Sequence, residues 1–387
     1  MYTYEKIIQD LKSRDLYRKE KTLSSMQDVC VQYEERSLHL MGSNNYLSLN
    51  GHPRLQAICH EVLDTFGTGS GGSRLTTGSS DWHKKLEDQI SAFKETEDSL
   101  IFSSGYAANL GVITSLAHKE THVFSDKDNH ASIVDGLLLS GCQLTRYKHL
   151  NYKDLERRLS QSTSHHKIII TDTVFSMDGS TADLRVLSKL AKAYSALLIV
   201  DDAHGLGVLG PKGQGLGHEQ NMVQSIDLTI GSLSKAIPGS GGYVTGSKLL
   251  VDIIRNKARS YIFSTAPPAH MMALAYEAIN MIKEGDHRRQ ALAEKTSYFI
   301  DKLRAAGFKI PDQMTPIIPI PIGPSDLTLQ VQDALLEDGI YIPGIRPPTV
   351  KKNHAQLRAS INYNHSHDQL DYICSRIIHH CKVYQVI

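Results

Sequence analysis

No run in this chain is long and apolar enough to cross a membrane, and the opening Met1-Tyr-Thr-Tyr-Glu-Lys holds no apolar leader segment. Cysteine is scarce. The five residues Cys30, Cys59, Cys142, Cys374 and Cys381 are scattered and form no CxxC, which suggests neither a disulfide framework nor a zinc site. Histidine is plentiful, but none of the 19 falls in an HExxH, and the pairs His165-His166 and His379-His380 read as solvated ends. No metal site is expected. Charge of one sign is also lacking: 42 Lys and Arg against 41 Asp and Glu leave a net charge of +1. That gives no reason to expect nucleic acid or a membrane surface as a partner. There is no internal repeat and no low-complexity linker. A reducing cytoplasm is the expected compartment.

What remains is an ordinary soluble composition, 41% hydrophobic and 21% charged over 387 residues, too long for one ordinary core. Two domains after an N-terminal arm are expected: an arm over 1–45, a large domain over 46–270 and a small one over 271–387. Residues 1–25 carry apolar residues at helical spacing. A strand is expected at Ser37–Gly42, and helices over 53–66 and from Trp82 to about Lys94. From Ser99 the pattern becomes strand, polar turn, helix, repeated. Strands are expected at Leu100–Phe102, His122–Ser125, 143–147, 167–172 and 196–201, with helices near 151–160 and 183–194. Near-continuous apolar strands alternating with amphipathic helices give an α/β fold, a mostly parallel sheet covered on both faces. After residue 268 the pattern is helical to about Gly307. A smaller α+β region follows, with strands near 316–322, 340–342 and 357–362 and helices near 327–338 and 366–380. Four prolines (Pro316, Pro319, Pro321, Pro324) make the first of those strands an edge or an irregular one.

Gly67, Gly69 and Gly72 form a literal GxGxxG. It follows a helical segment and leads into more loop, so it fails as a dinucleotide fingerprint and reads as a flexible or ligand-lining loop. A nicotinamide oxidoreductase is therefore not supported.

The unusual stretch is Gly231-Ser-Leu-Ser-Lys-Ala-Ile-Pro-Gly-Ser-Gly-Gly242. Lys235 is the only charged residue between Asp227 and Lys248. It sits on a tight turn between two expected strands. A desolvated lysine is available as a neutral amine, and its natural use is a Schiff base with a carbonyl, above all that of pyridoxal phosphate (PLP). A surface turn lysine is the ordinary alternative. Other polar clusters fall at strand ends, where ligands of such sheets bind. Ser103-Ser-Gly-Tyr-Ala-Ala-Asn109 opens a helix with small residues, as a phosphate site would, or as any strand–helix turn does. Asp201 and Asp202 close an apolar strand ahead of His204. Buried carboxylates there need a cation, which a protonated pyridine nitrogen or a structural ion pair could supply. His130 could present a flat ring for stacking, or be merely polar surface. Phe175-Ser-Met-Asp-Gly179 is a further polar turn. Together these supply what a PLP site needs.

On these runs, and on Ser43-Asn-Asn-Tyr-Leu, Gly69-Ser-Gly-Gly-Ser-Arg-Leu-Thr-Thr-Gly, Asn129-His-Ala-Ser, Phe263-Ser-Thr-Ala-Pro-Pro and Ile345-Arg-Pro-Pro-Thr-Val, the sequence resembles the α-oxoamine synthases, PLP enzymes of fold type I. The matching runs span nearly the whole chain. The resemblance implies that Lys235 holds the cofactor and moves the substrate Cα proton, and that Asp201 pairs with the ring nitrogen. It implies that His204 and Ser176 approach the ring hydroxyl, that His130 stacks on the ring, and that Gly105, Tyr106 and Ser232 hold the phosphate. The family usually has threonine at Ser232, and the hydroxyl is kept. Thr265 would reach the phosphate of a partner subunit, implying a homodimer with shared sites. Arg358 would clamp the amino-acid carboxylate, and Asn44, Arg18 and Thr349 would bind substrate. The Ile345–Val350 run points to the branch that condenses L-alanine with a pimeloyl thioester, of coenzyme A or of an acyl carrier protein. Sibling reactions, such as glycine with acetyl-CoA, use the same apparatus. A non-catalytic PLP-binding regulator would usually carry a DNA-binding domain, and no room for one is seen before Ser43.

Overall fold

A computed structural model describes residues 3–14, 16–312 and 315–387. Met1, Tyr2 and Asp15 of the expected arm lie outside the described residues. The chain divides into two compact units: Gly51–Ser176 with Ser180–Arg289, and Met1–Asn50 with Met177–Gly179 and Gln290–Ile387. Among the described residues no helix is long and apolar enough to cross a membrane.

The larger unit is built on a seven-stranded sheet. Its order is Asp98–Phe102, Pro238–Gly246, Leu228–Ser234, Ala196–Asp201, His166–Asp172, Thr121–Asp126, Gln143–Tyr147. Only Pro238–Gly246 runs against the others. The strand expected after Lys235 begins at Pro238, and the proline occupies its first position, where no ladder N–H is needed. Leu198, Ile199 and Val200 are all but fully buried, as are Ile168, Ile169 and Ile170. Strands covered on both faces need such runs. The helices between them start on side-chain caps. Ser104 accepts from the Ala107 N–H and Asp183 from those of Arg185 and Val186. Six strands therefore deliver their carboxyl ends to one edge of the sheet.

Among its described residues the smaller unit holds two three-stranded sheets. In one, Arg36–Leu40 pairs with Cys30–Tyr33 and, in parallel, with Ile340–Tyr341. In the other, Ala355–Ser360 lies between Gly344–Ile345 and the proline-rich Ile317–Gly323. The proline-rich strand is an edge, and its register breaks between Pro321 and Gly323.

The domain boundaries differ from the sequence expectation. Helix Ala269–Glu284 packs on Pro53–Phe66 and Asp81–Lys94, burying Met272, Ala273 and Ile279. The larger unit therefore runs on to Arg289 rather than ending near 270. Residues up to Asn50 are not a separate arm, because Arg36–Leu40 takes its parallel partner from Ile340–Tyr341. The first helix spans only Tyr4–Ser13 and buries no residue, despite its helical pattern. The strand Cys30–Tyr33 was not expected. Its hairpin turn is Glu34-Glu35, held at φ of 46° and 63° without a glycine.

Candidate active site

The clusters singled out from sequence converge at the carboxyl edge of the large sheet. Asp201 ends its strand in register with Asp172 of the neighbouring one. Its Oδ1 accepts the Ala203 N–H at 2.9 Å, and its Oδ2 accepts from Asn109 Nδ2 at 2.6 Å. Asp202 is different. Its Oδ2 meets Lys94 Nζ at 2.7 Å and its Oδ1 accepts from Thr173 Oγ1 at 2.7 Å. The two carboxylates have divided the two roles weighed from sequence: Asp202 makes the structural ion pair, and Asp201 faces the strand-end edge. Lys94 and Asp202 are both nearly fully buried. Lys94→Met is expected to lower stability by about 3–5 kcal/mol, because it strands a buried charge. Thermal unfolding measures this, and a melting temperature unchanged from wild type contradicts it.

Asp172 is a neighbour that the sequence reading did not pick out. Its Oδ2 accepts the backbone N–H of His130 at 2.9 Å. Burial pushes its carboxyl well above the usual carboxylate range, and the Asp201 charge pushes the same way. His130 caps the helix Ala131–Ser140, and its ring meets that of Tyr106 edge-on at 6.4 Å. Desolvation holds the His130 imidazole below its ordinary value, against the pull of Asp201. Lys235 is half-buried just past the strand Leu228–Ser234, where the register with Pro238–Gly246 skips between Ser232 and Ser234. Its charge acts on both His130 and Asp172. His204 is buried, and Ser176 is half-buried on the turn closed by the Val174–Thr181 bridge.

A second cluster forms a cradle beside these residues. The Ser104 cap takes the Ala107 N–H, and the N–H groups of Gly105 and Tyr106 open the helix Gly105–Leu116. A helix start of this kind favours an anion. A Cβ on Gly105 would stand 3.5 Å from Ser232 Cβ and 3.7 Å from its Oγ, so the turn and the Ser232 hydroxyl share one space. Gly242 is needed behind it: a Cβ there would come within 2.5 Å of Gly105 N. Ser232 Oγ also lies 2.8 Å from Ser234 Oγ. An anion-binding turn, a buried hydroxyl, a buried carboxylate closing the strand and a lysine whose charge reaches the same residues fit the phosphate, ring nitrogen and carbonyl carbon of PLP.

Thr265 is exposed. Its loop is tied to the glycine-rich segment through the Ser73–Thr265 bridge, Ala266 N–H to Gly72 O at 2.9 Å and Ser70 Oγ to Ala266 O at 2.6 Å. The GxGxxG thus pairs with another loop of the same unit. In the smaller unit, Arg358 is buried, and its guanidinium donates to Ser360 Oγ at 3.0 Å and to Asn44 Oδ1 at 3.2 Å. The Tyr46 hydroxyl donates to that same Asn44 oxygen at 3.0 Å. Arg18 lies exposed on an irregular stretch. Thr349 is exposed too, with its N–H on the Arg346 carbonyl at 3.1 Å. The described residues contain no group of three or more His, Cys, Asp or Glu able to hold a metal ion.

Residues 37–377 match the model of the aminotransferase class I and II family. The chain belongs to that family. Its curated relatives in the family include the 8-amino-7-oxononanoate synthase of Citrifermentans bemidjiense, 42% identical over 96% of each chain. The 8-amino-7-oxononanoate synthase 2 of Bacillus subtilis is 44% identical over 86% of this chain and 85% of its own. Among solved structures, serine palmitoyltransferase from S. paucimobilis, with bound PLP–myriocin, superposes with a TM-score of 0.95 at 28% identity, covering 99% of this chain and 98% of its own. The 8-amino-7-oxononanoate synthase of Francisella tularensis gives 0.80 at 28% identity, over 90% and 99%. The fold is that of these PLP-dependent family members.

Proposed function

We propose that this chain is a PLP-dependent acyltransferase. It joins L-alanine to a pimeloyl thioester, releases carbon dioxide and the free thiol, and leaves 8-amino-7-oxononanoate, a step of biotin biosynthesis. The convergence of Asp201, His130 and Lys235 on one sheet edge, beside the Gly105–Ser232 cradle, carries the chemistry. The substrates rest on the curated relatives named above. PLP supplies an electron sink for the pair left on the amino-acid Cα. The protein's residues do the rest. Lys235 anchors the cofactor and carries the Cα proton. Asp201 balances a protonated ring nitrogen, His130 covers one ring face, and His204 and Ser176 meet the ring hydroxyl. The Gly105 and Tyr106 amides and Ser232 take the phosphate. Arg358, steadied by Asn44 and Ser360, receives the substrate carboxylate as a two-pronged donor. Arg18 and Thr349 serve the acyl thioester.

The same reading makes the protein a cytoplasmic homodimer in which Thr265 reaches the partner subunit's cofactor phosphate. Its loop supports this, since Phe263 beside it is 70% exposed. An aromatic ring this open suits a covered face.

Thiol release tests the substrate assignment. With alanine plus pimeloyl-CoA the kcat/KM is expected to exceed that with glycine plus acetyl-CoA by about tenfold or more, the scale on which pocket contacts discriminate substrates. A higher value for glycine plus acetyl-CoA assigns the chain to the sibling reaction, with the roles of Lys235 and Asp201 unaffected.

A further inference from the structure

We propose that Asn109 and Ser132 are positioning residues that join Asp201 to His130 and keep the His130 ring neutral, with its proton on Nε2. The inference rests on the PLP reading above. Three separate elements meet here: helix Gly105–Leu116 brings Asn109, helix Ala131–Ser140 brings Ser132, and strand Ala196–Asp201 ends on Asp201. Asn109 and Ser132 are almost wholly buried, at 1% and 0% exposure.

The direction of each hydrogen bond follows from the donors. The Ser132 backbone N–H points at His130 Nδ1 over 3.3 Å. A backbone N–H only donates, so Nδ1 holds a lone pair and the ring proton sits on Nε2. Ser132 Oγ lies 2.7 Å from the same nitrogen and donates its hydroxyl proton there. The oxygen is then open to accept, and Asn109 Nδ2 donates to it at 3.0 Å. The other N–H of that amide goes to Asp201 Oδ2. The reverse amide orientation would set oxygen against a carboxylate. The cost of this arrangement is visible: Asn109 Oδ1 is buried with no partner. A buried acceptor left unbonded is unfavourable for folding, and here the same amide serves two acceptors at once.

A proton on Nδ1 would face the Ser132 N–H head-on. The lowered affinity of the ring for a second proton, set by burial first and by the Lys235 charge against Asp201 and Asp135, agrees with this. The purpose follows from charge. A cofactor ring whose nitrogen is protonated opposite Asp201 is itself cationic. A neutral imidazole offers it an electron-rich face, whereas an imidazolium would add a second positive charge. The amide and hydroxyl relay thus keeps the negative charge on Asp201 and positive charge off His130.

The test uses cofactor-free protein, titrated with PLP by equilibrium dialysis at fixed pH, for wild type, Ser132→Ala, Asn109→Ala and the double variant. Absorption spectra and melting temperatures accompany each titration. Ser132→Ala is expected to raise Kd about tenfold and to shift the absorption maximum of the bound cofactor, with a melting temperature within a few degrees of wild type. Asn109→Ala should weaken binding similarly. Because one relay is cut in both, the double variant should lose little more than either single one. Ser132→Ala binding within twofold of wild type with an unmoved spectrum overturns the proposal. So does a double loss equal to the product of the two single losses. Failure of wild type itself to bind PLP would instead overturn the cofactor reading.

Discussion

Lys235→Ala is expected to abolish covalent attachment of PLP and to cut turnover about 1,000-fold or more, the range for removing a group that moves a proton in the reaction. The residue has the placement for both duties. It stands just beyond a strand whose ladder skips a position, followed by the buried Ala236 and Ile237. It is half-buried, so its chain is confined while its amine stays reachable. Its charge is felt by His130 and by Asp172, residues from two other strand ends. No other charged residue lies between Asp227 and Lys248 to take over. Borohydride reduction of the wild-type holoenzyme followed by peptide mapping should place the cofactor on the Lys235 peptide. A reduced adduct on another lysine removes Lys235 from the mechanism.

Asp201→Asn should still bind PLP but lose about 100- to 1,000-fold in kcat, the scale for deleting one preorganised electrostatic contact to the reacting system. The amide keeps the side chain's shape, and its oxygen can still accept the Ala203 N–H. What it loses is the negative charge and the second acceptor, which now takes nothing from Asn109 Nδ2. Asp202 cannot replace it, being committed to Lys94 and Thr173. Asp172 is a poor substitute as well, because burial and the adjacent Asp201 both disfavour its charged form. Steady-state turnover alongside the cofactor's absorption spectrum checks this. Near-normal kcat in Asp201→Asn would show that the ring nitrogen needs no carboxylate.

The parts of this site legible in the sequence share one property: each breaks a local pattern. Lys235 interrupts a small-residue turn, and Asp201 closes an apolar strand. Gly105 opens a helix on small side chains. The large sheet was legible for the same reason, since apolar strands and amphipathic helices alternate without a break from Ser99. Asn109, Ser132 and Asp172 were harder to see, because a polar residue inside an apolar segment shows its meaning only when its partner on another element is known. Asn109 had one usable signal, an amide amid Ala, Leu, Gly and Val on a helix whose core face is apolar. The ion pair between Lys94 and Asp202 joins residues 108 positions apart, beyond any periodic pattern. The hairpin at Glu34-Glu35 escaped because its turn uses two glutamates where glycine or asparagine would signal one. The boundary near 270 was misplaced because Ala269–Glu284 continues a helical pattern, and helical spacing does not say which core a helix joins.

The most direct measurement follows all three products at once. Purified protein with PLP, L-alanine labelled at its carboxyl carbon and pimeloyl-CoA should release labelled carbon dioxide and free thiol in equal amounts. Mass spectrometry should find 8-amino-7-oxononanoate without the label. Thiol release with the label retained in the product, or conversion of alanine to pyruvate without thiol release, would contradict decarboxylative condensation as the reaction of this chain.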